Sequence, residues 1–107
     1  MVEPVPRHIK KLLREYSSIA YEAELRHELE ALATQFDEWK NGTMDSWELT
    51  EAIHQFHNGA SRELYKKYNY GSTELNVAHA IFTGLLDRRQ VPAELVDHLA
   101  KYRAFLE

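Results

Sequence analysis

The chain has 107 residues, of which 44% are hydrophobic and 28% charged, and its formal net charge is −4. This size and composition fit one globular domain and argue against an intrinsically disordered chain. The absence of cysteine excludes disulfides, thiolate metal ligands and a cysteine nucleophile. Because a signal peptide and a membrane-spanning apolar run are both missing from the sequence, we predict a cytoplasmic protein without a membrane partner.

Charge is distributed unevenly along the chain. Residues 1–14 carry four bases against Glu3, residues 15–58 carry ten acids against two bases, and residues 59–107 carry seven bases against six acids. A nucleic-acid binder needs a broad basic face, so the acidic middle disfavours nucleic acid as a partner. The basic start would meet an anionic partner, the acidic middle of its own chain, or the acidic middle of a second copy.

Helical periodicity governs the first forty residues. Pro6 suits the first turn of a helix, where its missing N–H costs no hydrogen bond. The apolar residues that follow with helical spacing are Ile9, Leu12, Leu13, Tyr16, Tyr21, Leu25, Leu29, Leu32, Phe36 and Trp39. No glycine or proline interrupts residues 6–40. One long helix and two helices that meet at Ser17–Ser18 therefore both remain open.

Turn residues divide the middle of the chain. Asn41–Gly42 would end the first helix, because glycine accepts the left-handed conformation that closes a helix. A new helix is predicted from Asp45, with Leu49, Ala52, Ile53 and Phe56 facing inward. Asn58–Gly59 would end it.

Three further helices are predicted after that point. Ser61 would cap a short helix, and residues 69–71 would form a loop. Ser72 or Thr73 would cap the next helix, and Pro92 would begin the last one. The residues of the last two helices expected to face the core are Val77, Ala78, Ile81, Leu85, Leu95, Val96, Leu99 and Leu106.

These elements define the predicted fold class. No segment alternates apolar and polar residues as a half-buried strand does, so no sheet is predicted. Five to six helices joined by short connections imply an all-α, compact bundle. Residues 1–107 are predicted to form a single helical domain, with residues 1–5 disordered.

The most specific pattern lies within residues 28–56, where two apolar helical segments flank twelve residues from Asp37 to Glu48. The twelve are Asp-Glu-Trp-Lys-Asn-Gly-Thr-Met-Asp-Ser-Trp-Glu. This segment resembles an EF-hand, a helix–loop–helix unit that binds calcium through oxygen atoms of its loop. The resemblance implies calcium as a cofactor, with Asp37, Asn41, Thr43, Asp45 and Glu48 as its ligands.

The loop also departs from the EF-hand pattern. Trp39 stands at the third loop position, where an oxygen donor is expected, and Lys40 adds a repelling charge, so calcium binding would be weak at best. A second explanation needs no ion. Gly42 is equally a helix C-cap, and Asp45 followed three residues later by Glu48 is equally a capping box.

EF-hands usually pair through their loops, so a second loop is expected. The candidate spans residues 85–94, which carry Asp87 but no other acid before Glu94. It resembles a collapsed partner loop that binds no metal. Val91 would then lie beside Met44, and the unit would be a scaffold of EF-hand type rather than a calcium switch.

Two Glu-x-x-His spacings suggest a different chemistry. Glu24 precedes His27, and Glu51 precedes His54, each by three residues. In helical-bundle enzymes this spacing places both ligands of an iron or zinc centre on one inward face. These four residues lie beside or opposite the apolar stripes, which weakens the metal interpretation.

Residues 65–70, Tyr-Lys-Lys-Tyr-Asn-Tyr, mix bases with aromatic side chains, as surfaces that bind single-stranded nucleic acid do. In the alternative interpretation Tyr65 and Tyr68 belong to a buried helix face, and Lys66 and Lys67 are solvated.

The sequence therefore predicts a small non-enzymatic interaction or regulatory module built on an EF-hand-like scaffold. It would bind a protein partner, or itself, through an apolar helical face. A metal-dependent helical-bundle enzyme that uses di-iron or zinc is the first alternative. A weak nucleic-acid-binding accessory protein is the second.

Overall fold

The first helix is a single uninterrupted element. The computed structural model describes residues 5–106, with side chains described through residue 104. Helix α1 takes up 34 of these residues, Arg7–Lys40, and at 1.5 Å per residue it is about 51 Å long. Ser17–Ser18 does not break it, so one long helix replaces the two-helix alternative. Pro6 stands just before the first turn, at the N-cap, and not within it.

A tight turn reverses the chain after α1. Gly42 adopts a φ of 87°, the left-handed conformation predicted for it. Helix α2, Ser46–Phe56, then begins with Asp45 as its N-cap and packs back against α1. Residues 7–56 thus form a helical hairpin, and both ends of this turn are confirmed as the sequence predicts them.

Helix α2 does not end at Asn58–Gly59. A π-helical segment, His57–Ser61, carries the chain without interruption into helix α3, Arg62–Tyr70. A π-helical turn accommodates one extra residue inside a helix, so Gly59 is absorbed where a break was predicted. Ser61 has helical backbone angles and no capping hydrogen bond, so its predicted capping role is wrong.

The chain next folds back on the N-terminal half of α1. Ser72 caps helix α4, Thr73–Phe82, through its side chain. A turn at Gly84 and a short 3₁₀ segment, Arg88–Gln90, follow. The last helical stretch consists of α5 (Ala93–Leu99), a 3₁₀ turn (Ala100–Tyr102) and α6 (Arg103–Leu106). Within residues 5–106 the chain is all-α without a strand, and its segments join into four continuous helical stretches instead of five or six.

The hydrophobic core occupies one end of the molecule. It combines side chains from the first half of α1 with those of α4 and α5, namely Ile9, Leu13, Ala20, Val77, Ala78, Ala80, Ile81, Phe82, Leu86, Val91, Leu95 and Leu99. Val96 packs against this core, whereas Leu85 is exposed, contrary to prediction. The side chain of Leu106 lies outside the described part.

The molecule is elongated. Its extents are 57 × 27 × 24 Å and its radius of gyration is 17.5 Å, whereas about 13 Å is typical of a compact domain of this length. The prediction of a compact bundle is therefore wrong in shape, because the end of the hairpin formed by residues 28–56 projects beyond the core. The disorder predicted for residues 1–5 falls outside the described residues except at Val5, which packs against the core.

No helix within residues 5–106 has both the length and the apolar character required to cross a bilayer.

Candidate functional site

The turn that resembles an EF-hand loop begins inside a helix. Because α1 continues to Lys40, Asp37 is helical and exposed. The side-chain oxygen of Asn41 accepts hydrogen bonds from the backbone N–H of Thr43 at 3.0 Å and from its hydroxyl at 2.8 Å. The N–H of Thr43 also donates to the carbonyl of Glu38. Two of the five predicted ligands are thus engaged in closing the turn.

Asp45 and Glu48 form a capping box. The Asp45 carboxylate accepts from the N–H of Glu48 at 2.7 Å, and the Glu48 carboxylate accepts from the N–H of Asp45 at 3.4 Å. These bonds satisfy backbone donors at the start of α2 that would otherwise lack partners. Among residues 5–106 no group of three or more His, Asp or Glu side chains is arranged to hold a metal ion. Calcium binding by this loop stays a prediction.

The two loops predicted to pair lie at opposite ends of the molecule. Val91 belongs to the core beside the N-terminal half of α1, and the Tyr16 hydroxyl donates to the carbonyl of Gln90 at 3.2 Å. Met44 lies beyond the other end of α1, which is about 36 Å from Tyr16 along the helix axis. The expected contact between Val91 and Met44 is therefore wrong, since a single long helix separates them.

Glu24 has partners other than a metal. Its carboxylate accepts hydrogen bonds from the Tyr68 hydroxyl and from the Lys67 ammonium, the latter at 2.9 Å. The Tyr68 ring stacks on Tyr21, with ring centroids 4.8 Å apart. His27, the second residue of this Glu-x-x-His spacing, is exposed. Glu24 therefore joins α3 to α1.

Neighbouring groups stabilise the ionised form of the Glu24 carboxyl. Burial alone would raise the pKa of its carboxyl, but the hydrogen bonds from Tyr68 and Lys67 outweigh burial and hold that pKa below its ordinary value. Burial and the same hydrogen bond raise the pKa of Tyr68. His79 of α4 also favours the Glu24 carboxylate electrostatically, and its Nδ1 is buried without a partner among the described residues.

A similar cluster fastens the C-terminal stretch. Glu74 accepts from the Tyr102 hydroxyl at 2.9 Å and lies 3.3 Å from Nε2 of His98. Lys101 approaches the same carboxylate at 3.5 Å. Burial would raise the pKa of Glu74, whereas the bonds from Tyr102 and His98 lower it below its ordinary value. Each cluster uses a glutamate to join two helices.

The second Glu-x-x-His pair lies at the surface. Glu51 and His54 are both exposed, and Glu51 accepts a hydrogen bond from Gln55 at 3.4 Å. The pair is not turned into the core as a buried metal centre requires.

The tyrosine and lysine segment divides between two environments. Lys67 and Tyr68 are engaged with Glu24. Tyr65 is 51% exposed, so its assignment to a buried face is wrong, and its ring meets Tyr70 edge-on. A depression of about 420 Å³ lies beside the π-helical segment. It is lined by Tyr21, His57, Asn58, Ser61, Arg62 and Tyr65.

The distal hairpin, residues 28–56, exposes large apolar side chains. Leu49 is the only buried residue in this range, whereas six of the ten residues of α4 are buried. Trp47 is 84% exposed, and the Trp39 ring meets Phe36 edge-on. The large hydrophobic side chains exposed here are Leu29, Phe36, Trp39, Trp47 and Ile53.

No protein-family model, curated protein or solved structure matches this chain.

Sequence periodicity alone does not predict that this surface is exposed. Leu29 and Phe36 belong to an apolar stripe with helical spacing, and Ile53 was predicted to face inward, yet all three are exposed. Two helices packed side by side can cover only the strip of each that faces the other. The side of α1 that carries Leu29, Ala33 and Phe36 therefore remains open, because no third element of residues 5–106 lies across it.

Proposed function

We propose that this protein is a small non-enzymatic interaction module and that the distal hairpin is its binding surface. The observation that carries the proposal is the contrast in burial along the chain. One end holds nearly all of the core, whereas residues 28–56 bury Leu49 alone. Several large apolar side chains that are exposed in one part of a small protein mark an interaction site.

The chemistry of the distal hairpin defines the kind of partner that it suits. Leu29, Ala33 and Phe36 recur at i, i+4 and i+7, which is the spacing that a helical partner reads. Residues 28–51 also carry seven acids against Lys40, a net charge of −6. An apolar strip bordered by carboxylates favours a partner that is apolar at its centre and basic at its rim.

The EF-hand-like turn would serve this surface as a structural element. The capping box and Gly42 hold α2 against α1 without an ion, so the hairpin would present its apolar face independently of calcium. We propose weak calcium binding at most, since the side chains of Asn41, Asp45 and Glu48 already accept backbone hydrogen bonds and Trp39 adds no oxygen.

A pair of matched substitutions tests the proposal. Leu29 and Leu75 are both 45% exposed, but Leu75 lies on α4, outside the distal hairpin. Leu29→Glu should leave the free energy of unfolding unchanged within about 0.5 kcal/mol. In an extract of the cells that produce the protein, the Leu29→Glu chain should also sediment as a smaller species than the wild-type chain does. Leu75→Glu should leave the sedimenting species unchanged. If the two variants sediment as species of the same size, the proposal is contradicted.

A further inference from the structure

The depression beside the π-helical segment gathers polar and aromatic side chains outside the distal hairpin. Its volume of about 420 Å³ falls within the range of small-molecule sites, about 300–1,000 Å³. Five of the six lining residues belong to the continuous stretch that runs from the π-helical segment into α3, and α1 contributes Tyr21. π-helical turns are rare and occur frequently at functional sites. The depression is therefore a candidate ligand site.

Four polar side chains in this lining lack a partner within the described chain. No hydrogen bond or ion pair joins any residue of that chain to the side chains of His57, Asn58, Ser61 and Arg62. Lys67, by contrast, lies on the same stretch and is engaged with α1. An imidazole, an amide, a hydroxyl and a guanidinium can each donate a hydrogen bond. The depression therefore offers four donors to a ligand.

The charge of the lining favours an anion. Arg62 is permanently cationic, and the lining contains no aspartate or glutamate. The nearby carboxylate of Glu24 already accepts hydrogen bonds from Tyr68 and Lys67. A guanidinium presents a planar fork that bonds two oxygens of one phosphate. Three further donors beside that fork suit the three acceptor oxygens of a phosphate ester.

Two tyrosine rings supply the aromatic part of the lining. Tyr65 is 51% exposed, and Tyr21 is half-buried. The Tyr21 ring stacks on Tyr68 with 7° between the ring planes, and Tyr68 is itself bonded to Glu24. This support holds Tyr21 in place before a ligand arrives, which reduces the entropic cost of binding. Tyrosine rings offer a planar aromatic ligand a surface on which to stack.

We propose that this depression binds a small aromatic phosphate. The donors at His57, Asn58, Ser61 and Arg62 bind the phosphate oxygens, and the rings of Tyr21 and Tyr65 contact the aromatic part. Two sources share this chemistry. In an aryl phosphate the phosphate is joined to the ring directly, whereas in a nucleoside monophosphate a sugar lies between them. The inference goes beyond the proposed function, because none of the lining residues belongs to the distal hairpin.

A chemical-shift titration of the full chain by NMR tests the site. Phenyl phosphate or adenosine monophosphate should shift the amide signals of Tyr21 and residues 57–65, with a Kd of about 1 mM or tighter. Inorganic phosphate and adenosine each lack one half of the ligand and should bind at least roughly tenfold more weakly. The tighter of the two aromatic phosphates identifies the source.

Three results of this titration would overturn the proposal. The first is the absence of shifts at these positions with both aromatic phosphates at about 10 mM, which is well above the expected Kd. The second is equal affinity for inorganic phosphate, because the rings would then contribute nothing. The third is equal affinity for benzoate, because a carboxylate would then serve as well as a phosphate.

A matched pair of substitutions tests the anion contact. Arg62→Gln removes the guanidinium and should weaken the binding of phenyl phosphate roughly tenfold. Lys66→Gln removes the same charge from an exposed position of α3 outside the lining and should leave the affinity unchanged. Equal weakening by the two substitutions would show only general attraction of an anion to a basic helix, and the site would be wrong.

Two substitutions of one residue test the aromatic contact. Tyr65→Leu removes the ring and should weaken the binding of phenyl phosphate about fivefold or more. Tyr65→Phe keeps the face of the ring and should retain the wild-type affinity. Because Tyr65 is about half exposed, both variants should fold, and their thermal unfolding verifies this. Wild-type affinity in Tyr65→Leu would overturn the aromatic contact.

Discussion

Tyr68 donates its hydroxyl hydrogen to the carboxylate of Glu24 and so joins the end of α3 to the middle of α1. Lys67 reaches the same carboxylate at 2.9 Å, and Tyr21 stacks on the Tyr68 ring. This junction lies between the core and the distal hairpin. It therefore fastens α3 to the part of α1 that connects the two.

Removing the Tyr68 hydroxyl should destabilise the fold. Tyr68→Phe keeps the stack on Tyr21 but deprives the partly buried Glu24 carboxylate of one donor, which should cost about 1–2 kcal/mol of unfolding free energy. Urea denaturation measures the loss. Tyr65→Phe is the control at an exposed ring of the same helix and should change the stability by less than about 0.5 kcal/mol. Equal losses in the two variants would contradict a role for this hydrogen bond.

The stability supplied by Glu24 should depend on pH. Its folded-state pKa lies below the ordinary value of 4.5, so the charged carboxylate stabilises the fold above that pH. This stabilisation is lost as the pH falls through the lowered folded-state pKa. At neutral pH Glu24→Gln should cost about 1 kcal/mol, and the difference from wild type should shrink in acid.

Thermal unfolding measured from neutral pH down into acid gives this comparison directly. Glu63→Gln is a suitable control, because Glu63 is exposed on α3, outside the distal hairpin, and should show no such pH-dependent difference. A Glu24→Gln deficit that stays constant across the acid range would show that the carboxylate charge is not the stabilising feature.

Substitution by alanine at two of the glycines should change the stability in opposite directions. Gly42 has a φ of 87°, so Gly42→Ala forces a side chain into the left-handed region and should cost about 1 kcal/mol. Gly59 lies within a helix and has open space where a Cβ would stand. Gly59→Ala should therefore raise the stability by ~0.5–1 kcal/mol. Destabilisation by both substitutions would mean that the continuous helix through Gly59 is incorrect.

The capping box should stabilise the start of α2 without a bound ion. Asp45→Ala removes the acceptor for the Glu48 N–H and should cost about 1 kcal/mol. The loss should be the same in calcium as in chelator, and calcium should not change the fluorescence of Trp39 or Trp47. Calcium that stabilises the wild type but not the variant would instead establish the turn as a working ion site.

The sequence indicates the local features of this fold well. Gly42 was predicted in the role that it takes. The capping box of Asp45 with Glu48 and the Ser72 cap were each one of two alternatives that the sequence offered, because caps and turns depend on neighbouring residues. The π-helical segment was missed. An asparagine and a glycine usually signal a helix end, and only the contacts of α2 and α3 with α1 favour continuation there.

The exposure of the distal hairpin could not be predicted from periodicity. Helical spacing reveals that Leu29 and Phe36 share a face, but it does not reveal whether another element covers that face. Coverage depends on where the chain goes after α3. Because α4 and α5 pack on the first half of α1, the second half has beside it only α2 and the helical stretch that continues α2 into α3.

Site-specific photo-cross-linking tests the central claim most directly. A benzophenone side chain placed at Phe36, in the cells that produce the protein, should form a covalent adduct with a protein partner or with a second copy. The same group at Leu75, on α4, should form none at comparable yield. Adducts from Leu75 with none from Phe36 would contradict the assignment of the distal hairpin as the binding surface.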